Sequence, residues 1–232
     1  MNKHGYKVVK TKNGYLKIKR LMDIVGSVIA LILFSPLMIV VAILIKAESK
    51  GPILFKQRRI GKDKKEFYIL KFRSMKQDAP KEVPTHLLDN PYVYITRIGK
   101  FIRKTSIDEL PQFINVLRGE MSLVGPRPVL WNQNDLISER DKYGVNDVHP
   151  GITGLAQITG RDELTIGEKA YFDGQYIKEM SLAVDLKCII TTIINVIRGK
   201  NVTEGGKTNV QIYNSVNRCM ELLNENQHKK KA

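Results

Sequence analysis

The sequence predicts an α+β, mostly helical protein, in which an N-terminal membrane helix bent at Ser35-Pro36 joins a small cytosolic domain containing a β-hairpin. Three observations predict it. Residues 24–45, IVGSVIALILFSPLMIVVAILI, form a run of 22 residues without a charge; as a straight helix it is roughly 33 Å long, about the thickness of a bilayer's hydrocarbon. Two strand-like segments flank a charged turn at Gly61-Lys62-Asp63. From residue 107 onward, apolar residues recur at helical spacing. The divisions that follow are a basic segment at 1–20, the membrane helix at 21–48, a cytosolic domain at 49–200 that carries the chemistry, and a polar tail at 201–232.

The membrane helix comes first in the chain, and its flanks say how it sits. Residues 1–22 carry seven Lys and Arg and no acid, while residues 46–65 carry eight against Glu48 and Asp63. Basic flanks favour the cytoplasmic side, and anionic headgroups add about 1 kcal/mol per nearby cation. A straight span satisfies only one flank. Pro36 removes a backbone hydrogen bond near the centre of the run, and the Ser35 hydroxyl can take up a freed carbonyl. A helix bent there enters and leaves by one face; the competing reading is a kinked spanning helix. The run is too long and begins too late for a cleaved signal peptide.

The hairpin is expected over 53–59 and 66–72, with residues 77–91 forming a loop around Pro80, Pro84 and Pro91. Residues 107–117 place Ile107, Leu110, Phe113, Ile114 and Leu117 on one helical face, closed by Gly119. SLVGPRPVLW is a rigid loop, because two prolines bracket Arg127. Residues 134–142 read as a short helix, HPGITGLAQITG as turn and short strand or loop, and 163–180 and 182–198 as two helices. Cys188, inside an apolar run, and Cys219 lack metal-ligand spacing, and the chain reads as reduced and cytosol-facing.

Thirty-eight Lys and Arg against 23 Asp and Glu, a net charge of +15, imply an anionic partner. Against that background stands the acidic pair Asp108-Glu109, directly after Arg97, Lys100, Arg103 and Lys104. One explanation is local structure. Ser106 to Glu109 fits a capping box, although Pro111 would then fall in the helix interior; with Asp108 as the N-cap, Pro111 falls in the tolerated first turn. The other explanation is a diphosphate cradle, with Arg103 and Arg127 brought to one helix start and a divalent cation between acid and phosphate. An aspartate so placed is also a nucleophile for phosphorus.

Three long motifs in one order, KFRSM at 71–75, TSIDELPQFINVLRGEMSLVGPRP at 105–128 and HPGITGLAQITGR at 149–161, resemble the bacterial sugar transferases, the monotopic polyprenyl-phosphate phosphoglycosyl transferases. The likeness runs from about residue 20 to 198 and includes Ser35-Pro36. It implies movement of a phosphosugar from a nucleoside diphosphate sugar, usually a UDP-sugar, to undecaprenyl phosphate. Asp108 would be the nucleophile, Glu109 its dyad partner and Mg²⁺ the cofactor, held by Asp108 and Glu109. Lys71, Arg73, Arg97, Arg103 and Arg127 would contact substrate, with Arg103 on a phosphate. The implied setting is the bacterial inner membrane, entered from one face, with the catalytic domain toward the cytoplasm and amphipathic helices lying on the phospholipid surface. A homodimer is left open, and nucleic acid is not an expected partner.

A second acidic pair, Asp162-Glu163, lacks the proline and the basic lead-in and reads as a loop or helix start. Asp173 and Asp185 read as helix-surface residues. The rival from another class is a non-catalytic, membrane-anchored basic module for anionic lipid or nucleic acid. A nucleic-acid face usually interleaves cations with stacking aromatics, and only 7% of this chain is aromatic.

Overall fold

The computed structural model describes residues 13–80, 90–160 and 164–198. Most of the basic N-terminal segment, the middle of the proline-rich loop, Asp162-Glu163, Cys219 and the C-terminal tail lie outside the described residues. In chain order the elements are helix α1 (Asn13–Glu48), strands β1 (Leu54–Ile60) and β2 (Glu66–Phe72), helix α2 (Arg97–Lys104), a single 3₁₀ turn (Ile107–Glu109), helix α3 (Gln112–Leu117), strands β3 (Ser122–Val124) and β4 (Val129–Leu130), helix α4 (Asn134–Asp141), strand β5 (Gly151–Thr153), and helices α5 (Leu155–Thr159), α6 (Ile166–Glu179) and α7 (Leu182–Ile197). The fold is mostly helical with small sheets, as the sequence predicts.

Helix α1 is apolar outward and mixed inward. Ile18, Leu21, Ile29, Ile32, Leu33 and Ile43 face away from the protein, more than half exposed. Lys19, Asp23 and Ser27, spaced by four, are buried on the inward side, as are Val41 and Ile45. Polar residues can lie on that face because each buried charge meets a partner. Lys19 Nζ donates to Asp185 at 2.5 Å, and Asp23 accepts from Ser122 Oγ and the Leu123 amide. The helix runs unbroken through Pro36. Proline leaves the Ile32 carbonyl without its i+4 donor, and Ser35 Oγ donates to that carbonyl at 2.9 Å.

Both ends of α1 are tied to the same domain. Near the start, Tyr15 and Lys19 reach Asp185 on α7, and Arg20 donates to the Val116 and Leu117 carbonyls at the end of α3. At the other end, the Arg73 guanidinium donates to the Ser49 and Lys50 carbonyls. Glu48 accepts from the first two amides of α2, Arg97 at 2.7 Å and Ile98 at 3.1 Å, as a carboxylate at a helix N-terminus should.

The hairpin pairs in register from Leu54 with Phe72 to Ile60 with Glu66, and β4 adds to the far side of β1, giving the order β2-β1-β4. Strands β3 and β5 pair in parallel. The backbones pack so closely that a Cβ on Gly151 would lie 2.0 Å from the Gly125 nitrogen. That contact welds the GPRP loop to HPGITG. Phe67, Ile69, Val116 and Met121 form one core cluster beneath the hairpin, and Val124, Tyr176, Ile177, Met180 and Cys188 another. Burial pushes the Cys188 thiol up to about 11, consistent with an inert packed residue.

Three expectations are corrected. Residues 107–117 are not one helix: Ser106 is left-handed (φ 56°), a 3₁₀ turn carries the acids, and α3 starts after Pro111. The Pro111 nitrogen has no hydrogen to give Ile107, whose carbonyl instead accepts from the Leu110 amide at 3.2 Å. Residues 155–159, expected as turn, strand or loop, form helix α5 after the short strand β5. Asp173 and Asp185 are not on the surface but 1% and 2% exposed. Asp173 is held by Arg140 at 2.6 Å, and Asp185 by Lys19, Tyr15 and Tyr176.

Candidate active site

The 3₁₀ turn between α2 and α3 presents Asp108 and Glu109 toward strand β2. Neither local explanation for the acids is realised: Ser106 makes no side-chain cap, and α3 begins with Pro111 at its N-cap position and no side-chain cap. The carboxylates meet cations instead. Lys71 Nζ of β2 donates to Glu109 Oε1 at 2.7 Å and stands 3.9 Å from Asp108 Oδ2. Arg127, on the rigid GPRP loop, brings a guanidinium nitrogen to 3.7 Å from the same Glu109 oxygen. Burial pushes the Lys71 amine below the ordinary lysine range, while Glu109 and Asp108 pull it back.

The structure therefore brings together four of the residues singled out in sequence: Lys71, Asp108, Glu109 and Arg127. Arg103 sits in the last turn of α2, half-buried, one turn before the acids. Arg73 belongs elsewhere, because its guanidinium holds the end of α1. Arg97 opens α2 at the end away from the acids, its amide on Glu48. The Arg73 contacts show that the free carbonyls at a helix end also demand charged partners.

Arg140 is a residue that sequence reasoning missed. Buried on α4, it holds Asp173 of α6 through Nε and Nη2, and Nη1 donates to the Arg127 carbonyl at 2.9 Å. A buried ion pair thus fixes the backbone of a site cation. No motif marks Arg140; only a charged residue on the inward face of a short helix offered a signal.

A cavity of about 280 Å³ opens beside Glu109. Its walls come from Phe34 and Leu37 on either side of Ser35-Pro36, from Leu110 and Phe113, and from Thr192 and Val196 of α7. The lining is mostly apolar, suited to hydrocarbon rather than to a sugar. Glu109, not Asp108, borders it, and Asp108 is 7% exposed. Nearby, the exposed Leu182, Leu186, Ile190, Ile193 and Ile197 form an apolar stripe along α7.

Among the described residues no group of three or more His, Cys, Asp or Glu is arranged to hold a metal ion. Two adjacent carboxylates are nonetheless the protein share that Mg²⁺ commonly takes when substrate phosphates and water complete its shell. The donor set fits that ion.

Comparison with known proteins adds to this geometry. Residues 14–199 match the family model described as bacterial sugar transferase. The chain is 44% identical over 195 residues to a UDP-N-acetylgalactosamine-undecaprenyl-phosphate N-acetylgalactosaminephosphotransferase of Aeromonas hydrophila, covering 80% of this chain and 45% of that protein. It is 43% identical over 183 residues to the UDP-glucose:undecaprenyl-phosphate glucose-1-phosphate transferase of Escherichia coli K12, covering 76% and 39%. It is 36% identical over 189 residues to the exopolysaccharide production protein ExoY of Rhizobium meliloti, covering 75% and 83%. The chain thus spans less than half of the first two relatives and most of the third.

Proposed function

The chain belongs to the bacterial sugar transferase family, and from that premise we propose that it transfers a phosphosugar from a UDP-sugar to undecaprenyl phosphate at the Asp108-Glu109 site, releasing UMP. One observation carries this reading. The acid pair, with Lys71 and Arg127, adjoins an apolar cavity walled by the membrane helix at Phe34 and Leu37. A water-soluble diphosphate and a lipid phosphate can meet only where polar and apolar chemistry adjoin in this way.

In this mechanism an Asp108 carboxylate oxygen attacks the phosphorus bearing the sugar. The bond from that phosphorus to the bridging oxygen breaks, and UMP leaves with the bond's electrons. A phosphate oxygen of the lipid then attacks the aspartyl phosphosugar, the aspartyl bond breaks, and the carboxylate is regenerated. Lys71, Arg103 and Arg127 offset charge on the transferring group, which phosphoryl transfer requires more than it requires a strong base. Bound Mg²⁺, held by Asp108 and Glu109, would neutralise the diphosphate oxygens.

The membrane arrangement in this reading is monotopic. Two observations support it: both ends of α1 are anchored to one domain, and both flanks are basic. The exposed stripe of α7 lies on the same lipid surface.

Incubating the membrane fraction with a panel of UDP-sugars, undecaprenyl phosphate and Mg²⁺ should release UMP for at least one sugar. Chelation with EDTA should abolish the release and added Mg²⁺ restore it. No UMP with any sugar would refute the reading. A second route, direct transfer with Asp108 only as a metal ligand, is favoured by the burial of Asp108 and its absence from the cavity wall. Quick quench with UDP-sugar alone decides between them: a phosphosugar mass on Asp108 supports two steps, and its absence supports one.

A further inference from the structure

Strand β2, which carries Lys71, is an outer strand of its sheet, and its free side would leave backbone groups unpaired. Asn115, fully buried on α3, takes two of them. Its Nδ2 donates to the Tyr68 carbonyl at 2.8 Å and its Oδ1 accepts from the Leu70 amide at 2.9 Å. A residue of a parallel neighbouring strand would make the same pair of bonds around Ile69. The carboxamide therefore acts as a one-residue substitute for a missing strand. Its second N–H goes to Glu120 Oε2 at 2.6 Å, so both donors are used.

Position gives this arrangement its significance. Lys71 directly follows Leu70, and Glu109 lies six residues before Asn115 on the segment leading into α3. The Lys71 to Glu109 contact at 2.7 Å closes a ring whose opposite side is the carboxamide. We infer that Asn115 is a positioning residue: by clamping β2 to α3 through Tyr68 and Leu70, it sets the distance between the Lys71 ammonium and the Asp108-Glu109 carboxylates. Its consequence for turnover rests on the proposed function, but its consequence for Lys71 does not.

Only an amide of this length serves. Leucine fills the volume but orphans the Leu70 amide and the Tyr68 carbonyl. Aspartate keeps an acceptor for Leu70, loses both donors, and sets a carboxylate against Glu120.

The test labels the full-length protein in detergent micelles with limiting acetic anhydride and reads the acetylation of Lys71 against that of the exposed Lys100 by peptide mass spectrometry. In Asn115→Leu the Lys71:Lys100 ratio should rise about tenfold as the clamp is lost, and kcat should fall about 10²-fold with KM for UDP-sugar little changed, the scale of a 1 Å misplacement. If that variant unfolds and all lysines react alike, Asn115→Asp remains readable: its ratio should rise, and adding Glu120→Gln, which returns an N–H to the pair, should reverse at least half of the rise. A ratio in Asn115→Asp equal to that of the unaltered protein overturns the assignment, as does a rise that Glu120→Gln leaves in place. Absence of UMP release from the unaltered protein would sink the enzymatic reading alone, since the labelling ratio needs no turnover.

Discussion

Two of the carboxylate sets that meet lysine in this protein, Asp185 and the Asp108-Glu109 pair, do so differently. Asp185 is 2% exposed and receives three short bonds: Lys19 at 2.5 Å, Tyr15 at 2.7 Å and Tyr176 at 2.8 Å. Asp108 and Glu109 meet Lys71 at 3.9 and 2.7 Å and Arg127 at 3.7 Å, with a cavity alongside. At Asp185, one carboxylate is matched by short bonds from three side chains, and the result is a fastener between α1, α6 and α7. At the acid pair, Lys71 sits at hydrogen-bond length from Glu109 and farther from Asp108, and an apolar cavity lies alongside. Burial and charge pairing are common to both sets, and the cavity borders Glu109.

The variant that sharpens this contrast most is Asp108→Asn. It should lower UMP release by at least 10³-fold, the scale for losing a nucleophile, with a melting temperature close to that of the unaltered protein. Retained turnover would merge the two carboxylate sets again. Asp185→Ala should do the reverse. It leaves Lys19 buried without its partner and should cost about 3–5 kcal/mol of stability, read as a lower denaturation midpoint in micelles. KM for UDP-sugar should stay unaltered in the molecules that remain folded.

Arg140→Met tests whether one residue can belong to both sets, because Arg140 pairs with buried Asp173 and also holds the Arg127 carbonyl. A loss of about 3 kcal/mol in stability together with a fall in kcat is expected. A stability loss with kcat intact would return Arg140 to the fasteners. The smallest effect concerns pH. Burial lowers the Lys71 amine below the ordinary lysine range. Lys71 carries its charge below that depressed value and loses it above, so the alkaline limb of the pH-rate profile should begin below the usual lysine titration. Lys71→Arg, which stays protonated, should shift that limb upward.

Much of the fold was legible because it rests on local pattern. The apolar run of α1, the hairpin about Gly61 and the periodicity of α6 and α7 each declare themselves within a dozen or two residues. Helix α5 was not legible, since LAQIT is short and mixes β-branched residues with good helix formers. Within the candidate site, the meeting of Asp108, Glu109 and Arg127 was legible through proximity in sequence and the rigidity of GPRP. Lys71 was found through its motif. Asn115 and Arg140 were missed because their roles are set by partners 45 and 33 residues away, Leu70 and Asp173. Asn115 did leave one trace, a poor helix former inside a predicted helix. Arg73 shows the converse, a cation whose guanidinium serves the polar end of a helix, a demand that sequence alone does not reveal.

The ties at the two ends of α1 also constrain how the protein is made. The helix leaves the ribosome ahead of Asp185, the partner of Lys19, which follows 166 residues later. At about 5–20 residues per second, synthesis must continue for roughly 8–30 s before that fastener can close. The apolar helix is therefore produced before its fastener, and through that interval its exposed side must be sheltered by the bilayer or by a chaperone.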